Sequence, residues 1–359
     1  MICHLILPSL KITGGTKEAL RFGTLLRTRN ISLLVTCMWR TQIPLDVTNY
    51  PTYELSSRFL SFRRAILELP LQMFRFHRKL KEDSRVSLIQ DDTIFIFTHY
   101  ITLPLALLVP ANKRFVFVQD IEWCFIKNKF ISEVLRKIIL LIYKRCKLIS
   151  ANSYLTSKLK EENIDVAFEL KIWANSSFFS EKSLSRDIDF VMVLRHGSHK
   201  RLDLYYDFIE KASKEEGLRI CIISPEDYIG QKVRDRVAIC LIRPSLAEMR
   251  DIYARSKCFV LLSEHEGFGL PPLEAMGSGC VPVCRDSGGV RAYMVGDLQK
   301  LLVPLESDPN LVFRIAAELI SQPDKLESLA TAARQIFNAG QSSIEVDAGA
   351  LERALILHR

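Results

Sequence analysis

The chain has 359 residues, 48% of them hydrophobic and 25% charged, with a formal net charge of +8. That length suits two ordinary domains better than one core, and the composition is that of a globular soluble protein. No apolar run reaches the length of a membrane span; the longest candidate, Ile138 to Tyr143, lies between Arg136-Lys137 and Lys144-Arg145.

The N-terminus lacks a positive region and a cleavage site, and Ile2 to Leu7 reads as a first buried strand, so export is not expected. Nine cysteines are scattered without a Cys-x-x-Cys pair. Cys37, Cys221, Cys240 and Cys258 sit in apolar runs, where cysteine behaves as a small core residue. Zinc and disulfides are therefore not expected, and a reducing cytoplasm is the expected compartment. The positive balance favours anionic partners without choosing among nucleotide phosphates, acidic lipid head groups and nucleic acid.

Ile2 to Leu7, an amphipathic helix to about Arg29 and Ile31 to Cys37 make a strand-loop-helix-strand unit, the opening of an α/β domain. Its loop holds Thr13-Gly14-Gly15-Thr16 at the mouth of the helix. Adjacent glycines let the backbone approach a ligand closely, and Thr16 is the expected N-cap. The pair is not Gly-x-Gly-x-x-Gly, so the dinucleotide fingerprint is absent. From Arg58 to Lys81, Arg58, Arg63, Arg64, Arg75, Arg78, Lys79 and Lys81 mix with Phe59, Phe62, Leu67, Leu69, Met73, Phe74 and Phe76. Two readings fit: a segment lying on an anionic bilayer, or a helix packed on the sheet with a solvated basic face. No nucleic-acid module accompanies the patch, so nucleic acid is not an expected partner.

Thr93 to Phe97 is the next strand, followed by Thr98-His99-Tyr100 and a helical Leu103 to Val109. Arg114 to Val118 ends at Gln119-Asp120-Ile121-Glu122-Trp123, and Leu148 to Ala151 leads into Asn152-Ser153, a cap for the helix Leu155 to Glu161. Such alternation demands a parallel sheet with ligand groups at strand C-terminal ends, where His99 and Asp120 both stand. The polar run Asn175 to Asp189 reads as a linker. A second series follows, with strands Phe190 to Leu194, Leu218 to Ser224, Ala238 to Ile242, Lys257 to Leu262 and Val281 to Cys284. Ser245-x-x-Glu248 is a capping box, Asp286-Ser287-Gly288-Gly289 a tight turn, and Ser342 to Arg359 is helical by pattern. The domains expected are 1–174 and 190–341, joined by 175–189.

The most informative stretch runs from Leu262 to Val283. An apolar strand ends at the acidic, glycine-rich turn Glu264-His265-Glu266-Gly267-Phe268-Gly269, and a helix opens with Pro271 and Pro272 in its first turn, where a missing N–H costs nothing. Backbone N–H groups and the positive end of a helix dipole then gather at a strand's C-terminal edge, a place suited to phosphate. Glu266 and Glu274 have the wrong sign for phosphate and must accept hydrogen bonds from hydroxyls beside it. A diphosphate between two polyols, a nucleotide-sugar, meets that description. The simpler alternative is a strand-turn-helix whose glutamates only favour the helix N-terminus.

The Glu-x7-Glu spacing of Glu266 and Glu274, within Glu-Gly-Phe-Gly-Leu-Pro-x-Leu-Glu-Ala-Met, resembles the signature of retaining glycosyltransferases of family 4. That family has the α/β GT-B fold, two Rossmann-like parallel-sheet domains facing a central cleft. The resemblance implies an acceptor-binding first domain, with the helix 342–359 packing back on it, and a second domain that binds the nucleotide-diphosphate sugar. Glu274 would accept from the ribose hydroxyls and Glu266 contact the donor sugar. Gly267, Phe268, Gly269 and Leu270 would present backbone N–H groups, and Gly14 and Gly15 would lie against the diphosphate. Arg195 and Lys200 match the family's Arg-x4-Lys pair, cations placed where charge grows on the leaving phosphate. His99 resembles the histidine that reaches the donor sugar from the first domain, and Asp120 would orient or deprotonate the acceptor hydroxyl.

On this resemblance the chain is a metal-independent hexosyltransferase without cofactor, peripheral on the inner membrane face, with a glycan or lipid-linked saccharide of surface polysaccharide synthesis as acceptor. Phe115 to Trp123, with Gln-Asp-x-Glu-Trp, resembles a rhamnosyltransferase subgroup and points to dTDP-rhamnose. Asp187-Ile188-Asp189 spells a metal motif in the wrong place and reads as chance. One departure concerns Gly289: three positions on the family has an acid, where this chain runs Val290-Arg291-Ala292. The alternatives on the same fold are an acceptor-independent epimerase or hydrolase, and a nucleotide-sugar-binding scaffold without turnover.

Overall fold

The structure, a computed structural model, describes residues 1–8, 14–27, 29–39, 52–55, 68–82, 93–126, 128–170, 173–180, 185–214 and 217–357. Contacts divide them into two units, Met1–Ile172 with Glu345–Arg359, and Trp173–Ile344.

The first unit is built on a parallel sheet of seven strands: β1 (Ile2–Leu7), β2 (Ser32–Cys37), β3 (Thr52–Glu54), β4 (Thr93–Phe97), β5 (Arg114–Val118), β6 (Lys147–Ser150) and β7 (Phe168–Glu169), in the order β3-β2-β1-β4-β5-β6-β7. β1 pairs with β2 on one side and, by crossover, with β4 on the other. Ile94 to Phe97 and Phe115 to Val118 are all buried, because helices cover both faces of a parallel sheet and its strands read as unbroken apolar runs. Phe76, on the helix Leu69–Glu82, is fully buried and meets Phe95 and Phe97 edge-on at 6.4 and 6.5 Å. The same helix leaves Leu71 and Phe74 exposed. Residues 58–67 of the basic aromatic stretch lie outside the described residues. The first helix opens at Gly14, two residues before the N-cap expected at Thr16, which is buried inside its first turn.

The second unit carries a parallel sheet of six: β8 (Ile188–Val193), β9 (Ile220–Ser224), β10 (Ile239–Ile242), β11 (Ser256–Leu261), β12 (Val281–Arg285) and β13 (Leu302–Val303), in the order β10-β9-β8-β11-β12-β13. The capping box at Ser245 forms, with Glu248 N–H donating to Ser245 Oγ at 3.2 Å and Ser245 N–H to Glu248 Oε2 at 2.7 Å.

The polar run after Ala174 is fastened to this unit. Ser180 N–H donates to the Gly277 carbonyl, Ser278 Oγ–H donates to the Phe178 carbonyl, and a Cβ on Gly277 would lie 2.7 Å from that carbonyl oxygen. Asp187 and Asp189 hold ion pairs, Asp187 with Arg255 at 2.8 Å and Asp189 with Lys257 at 2.7 Å. Their spacing therefore has a structural use. The last helix runs unbroken over Pro323–Leu357, well before the start expected at Ser342. All nine cysteines are free thiols.

Candidate functional site

In the second unit the sequence places its candidate groups at the C-terminal ends of β8 and β11, neighbours at the centre of the sheet. β8 is followed by Leu194 and Arg195, then Gly197 at φ +139°, a turn Ser198–Lys200 and Arg201 in the left-handed conformation, from which the helix Leu202–Ala212 starts. This tight reversal lays Lys200 against the loop after β11, where Glu264 N–H donates to the His199 carbonyl at 2.8 Å. Lys200 Nζ donates to Glu266 Oε2 at 2.8 Å, with both side chains about 15% exposed (16% and 15%).

Burial alone would raise the Glu266 carboxyl. The Lys200 charge and hydrogen bond, a hydrogen bond from buried Ser263 and the Arg195 charge together hold it below its ordinary value. Glu266 is thus a carboxylate held by Lys200 and further favoured by the charge of Arg195. Lys200 keeps two further N–H donors beyond the one given to Glu266. Arg195 Nε is buried without a hydrogen-bond partner, an orphaned donor beside an ion pair. Its charge also reaches Tyr253, on which Glu274 acts from the opposite sense. Glu274 stands half-buried in the second turn of the helix Leu270–Gly277, and its charge, like that of Glu266, reaches Tyr293.

The loop between the two glutamates is set by close backbone approach. Glu266 N–H donates to the Ser287 carbonyl at 2.9 Å, and Gly289 N–H returns to the Glu266 carbonyl at 3.0 Å. Gly269, at φ +78°, caps the helix, and its carbonyl accepts from Tyr293 Oη–H at 2.5 Å. Leu270 is the first helical residue, and Pro271 and Pro272 follow it in the first turn, as the sequence requires. Phe268 is buried, edge-on to Tyr293 and Trp173 at 5.6 and 6.4 Å, so its side chain serves the core. Arg291, where the family pattern has an acid nearby, pairs with Asp286 on the same turn at 2.6 Å. Tyr293 and Ser263, which hold this loop from behind, carried no sequence signal; a buried hydroxyl is visible only once the fold surrounds it.

The first unit holds a second cluster. His99 follows β4 and caps the turn Tyr100–Thr102: its Nδ1 accepts from Ile101 N–H at 3.3 Å. A ring nitrogen that accepts carries no proton, so neutral His99 is protonated at Nε2, which lies 3.6 Å from Glu122 Oε1. The other Glu122 oxygen accepts from Tyr100 N–H at 2.7 Å. Thr98, His99, Gln119, Asp120, Glu122 and Tyr143 line one narrow recess. Asp120 accepts from Ile121 N–H at 2.8 Å and adds its charge to the site. Burial raises the Glu122 carboxyl well above 4.5, the Tyr100 N–H opposes that, and Asp120 adds to it; burial lowers His99. Glu122 is the acid that contacts His99, a residue to which the sequence assigned no role, since it placed Asp120 alone beside the acceptor hydroxyl. Gly14 and Gly15, in the same unit, form the first residues of their helix.

A carboxyl whose folded value is raised stabilises the fold below its ordinary 4.5 and loses that contribution as pH rises through the folded value. Glu122→Gln keeps an acceptor for Tyr100 and removes the charge. It is expected to melt a few degrees above wild type at about pH 8, with the gap closing near pH 4.5. Thermal melts at both pH values check this, and a gap of the opposite sign refutes a raised Glu122.

Residues 175–336 match the family model Glycosyl transferases group 1. The chain is 27% identical over 207 residues to O-antigen chain mannosyltransferase RfbU of Salmonella typhimurium, covering 53% of this chain and 55% of that one. It is 28% identical over 106 residues to the GDP-mannose:cellobiosyl-diphosphopolyprenol alpha-mannosyltransferase of Xanthomonas oryzae pv. oryzae, covering 30% and 23%. The chain thus spans about half and about a quarter of these curated relatives. Among solved structures, sucrose-phosphate synthase from Thermosynechococcus elongatus superposes with a TM-score of 0.79 over 100% of both chains at 12% identity. The fold is that of the GT-B glycosyltransferases, and the second unit is a glycosyl transferases group 1 domain.

Proposed function

We propose that the chain is a retaining glycosyltransferase that moves a hexosyl group from a nucleotide-diphosphate sugar to a glycan or lipid-linked saccharide. The observation that carries this reading is the Arg195–Lys200–Glu266 cluster beside the N-terminus of Leu270–Gly277. Breaking the bond between the anomeric carbon and the diphosphate puts negative charge on the leaving phosphate. The Arg195 guanidinium and the remaining Lys200 donors are fixed positive groups for it, in a site where low dielectric strengthens each contact. Glu266, held ionised, accepts from sugar hydroxyls, and Glu274 from the ribose. The His99–Glu122 recess takes the part the resemblance gives to the first domain, with Asp120 beside it to receive the acceptor's proton.

The similarity to a GDP-mannose-dependent mannosyltransferase supports GDP-mannose as donor, whereas the resemblance of Phe115 to Trp123 to a rhamnosyltransferase subgroup implies dTDP-rhamnose. The similarity to an O-antigen chain mannosyltransferase, RfbU, supports a surface polysaccharide as the product. Thermal-shift titration against a panel of nucleotide-diphosphate sugars names the donor, because a ligand that binds only the folded state raises the melting temperature with concentration. Product analysis with and without acceptor then separates transfer from hydrolysis or epimerisation; nucleotide release that no acceptor accelerates overturns the proposal. Arg195→Ala and Glu274→Ala are expected to lose about ten- to a hundredfold in kcat/KM, the worth of one charged hydrogen bond of about 1.5–3 kcal/mol. Turnover assays on donor series check this, and unchanged kcat/KM in either variant removes that residue from the site.

A further inference from the structure

The helix Lys129–Tyr143 buries Ile139, Ile142 and Tyr143 and leaves an apolar stripe outside. Phe130 is 78% exposed, Leu141 57%, Ile131 52%, Ile138 49% and Val134 42%. These residues recur at intervals of three and four and so share one face, which an ordinary surface helix would make polar. Lys129, Lys137, Lys144 and Arg145 are exposed around the stripe, and the single acid of the helix, Glu133, is paired with Arg136 at 2.9 Å and more loosely with Lys137 at 3.8 Å. The short helix Leu103–Ala106 touches both Lys129–Tyr143 and Leu69–Glu82, and this neighbourhood adds exposed Leu107, Leu71 and Phe74.

We propose that this face docks on an anionic phospholipid bilayer. Phe130, Ile131, Val134, Ile138 and Leu141 enter the boundary between head groups and acyl chains, and the four exposed cations meet the lipid phosphates. At 15 residues the helix is about 22 Å long, too short to span the hydrocarbon layer, so it lies in the interface plane. Charge selects this occupant over a second copy of the chain. A two-fold contact through the stripe would set the same cations against each other, whereas acidic head groups neutralise them. Within the basic aromatic stretch 58–81, Phe76 and Leu80 belong to the core, whereas Leu71 and Phe74 are exposed.

Flotation of the full chain with phosphatidylcholine vesicles, with and without added phosphatidylglycerol, tests the proposal. Binding is expected only to the acidic vesicles and is expected to weaken with salt. The triple variant Phe130→Gln, Ile138→Gln, Leu141→Gln is expected to lose about tenfold or more in vesicle affinity, with an unchanged melting temperature because all three side chains are exposed. Lys137→Glu with Lys144→Glu is expected to weaken binding to acidic vesicles in the same direction. Absence of wild-type binding to acidic vesicles overturns the proposal, as does equal binding by the triple variant. So does a dimer that these substitutions dissociate in the absence of vesicle binding. None of these readouts depends on sugar transfer.

Discussion

Lys200→Ala is expected to cost about 3 kcal/mol of folding stability at neutral pH and to lower kcat by about a hundredfold or more. The pair with Glu266, at 2.8 Å and largely out of water, is the reason. Removing one member of a buried pair leaves the other charge without compensation, which costs about 3–5 kcal/mol when burial is complete and somewhat less at this exposure. Without the lysine, burial dominates the Glu266 carboxyl and its value rises. In wild type the lowered carboxyl contributes stability above its ordinary value of 4.5 and loses it as pH falls through the folded value. In the variant the sign reverses, so the deficit is larger at about pH 8 than at about pH 5. Urea unfolding at both values checks this; an equal deficit at each refutes the ion pair as its source. The double variant Lys200→Ala, Glu266→Ala is expected to recover part of the loss, which a double-mutant cycle reads as coupling between the two.

Gly289→Ala is expected to be nearly as damaging, although the added group is one methyl. A Cβ there would lie 2.5 Å from the Gly267 carbonyl carbon and oxygen and 2.6 Å from the Glu266 oxygen. All three are backbone atoms, which no rotamer change can move aside. The loop carrying Glu266 must shift, and it is the partner of the Asp286–Gly289 turn in two backbone hydrogen bonds. A loss of about 3 kcal/mol, the upper part of the usual range for overpacking, is expected together with at least a tenfold fall in turnover. Gly230→Ala is the matched control: its Cβ meets nothing within 4 Å and its φ is −65°. Gly230 caps the helix Gln231–Arg234, where alanine is a poorer cap than glycine, so a loss of no more than about 1 kcal/mol is expected. Calorimetric melts and turnover of the two variants side by side decide the matter, and equal behaviour refutes the close approach.

Most of the long strands were legible in the sequence, because a parallel strand covered on both faces is a continuous apolar run. β1, β4 and β5 fall on the residues expected, and β6, β8 and β11 shift by one or two. β3, β7 and β13, of two or three residues at or near sheet edges, escaped for the same reason. So short a segment has no periodicity to detect. The helix after Phe268 was readable from Gly269, Pro271 and Pro272 alone, since those residues constrain the backbone locally.

What the sequence determined by itself is the identity of the charged groups and their places at strand ends: Arg195 after β8, Glu266 after β11, His99 after β4. Local spacing fixes these. Which groups meet was decided by the fold, because it depends on crossovers that bring distant segments into register. Lys200 reaches Glu266 across 66 positions only because β8 and β11 are neighbours, and His99 meets Glu122 only because β4 lies beside β5. The exposed face of Lys129–Tyr143 was likewise hidden, for an apolar residue in a sequence does not say whether another helix will cover it.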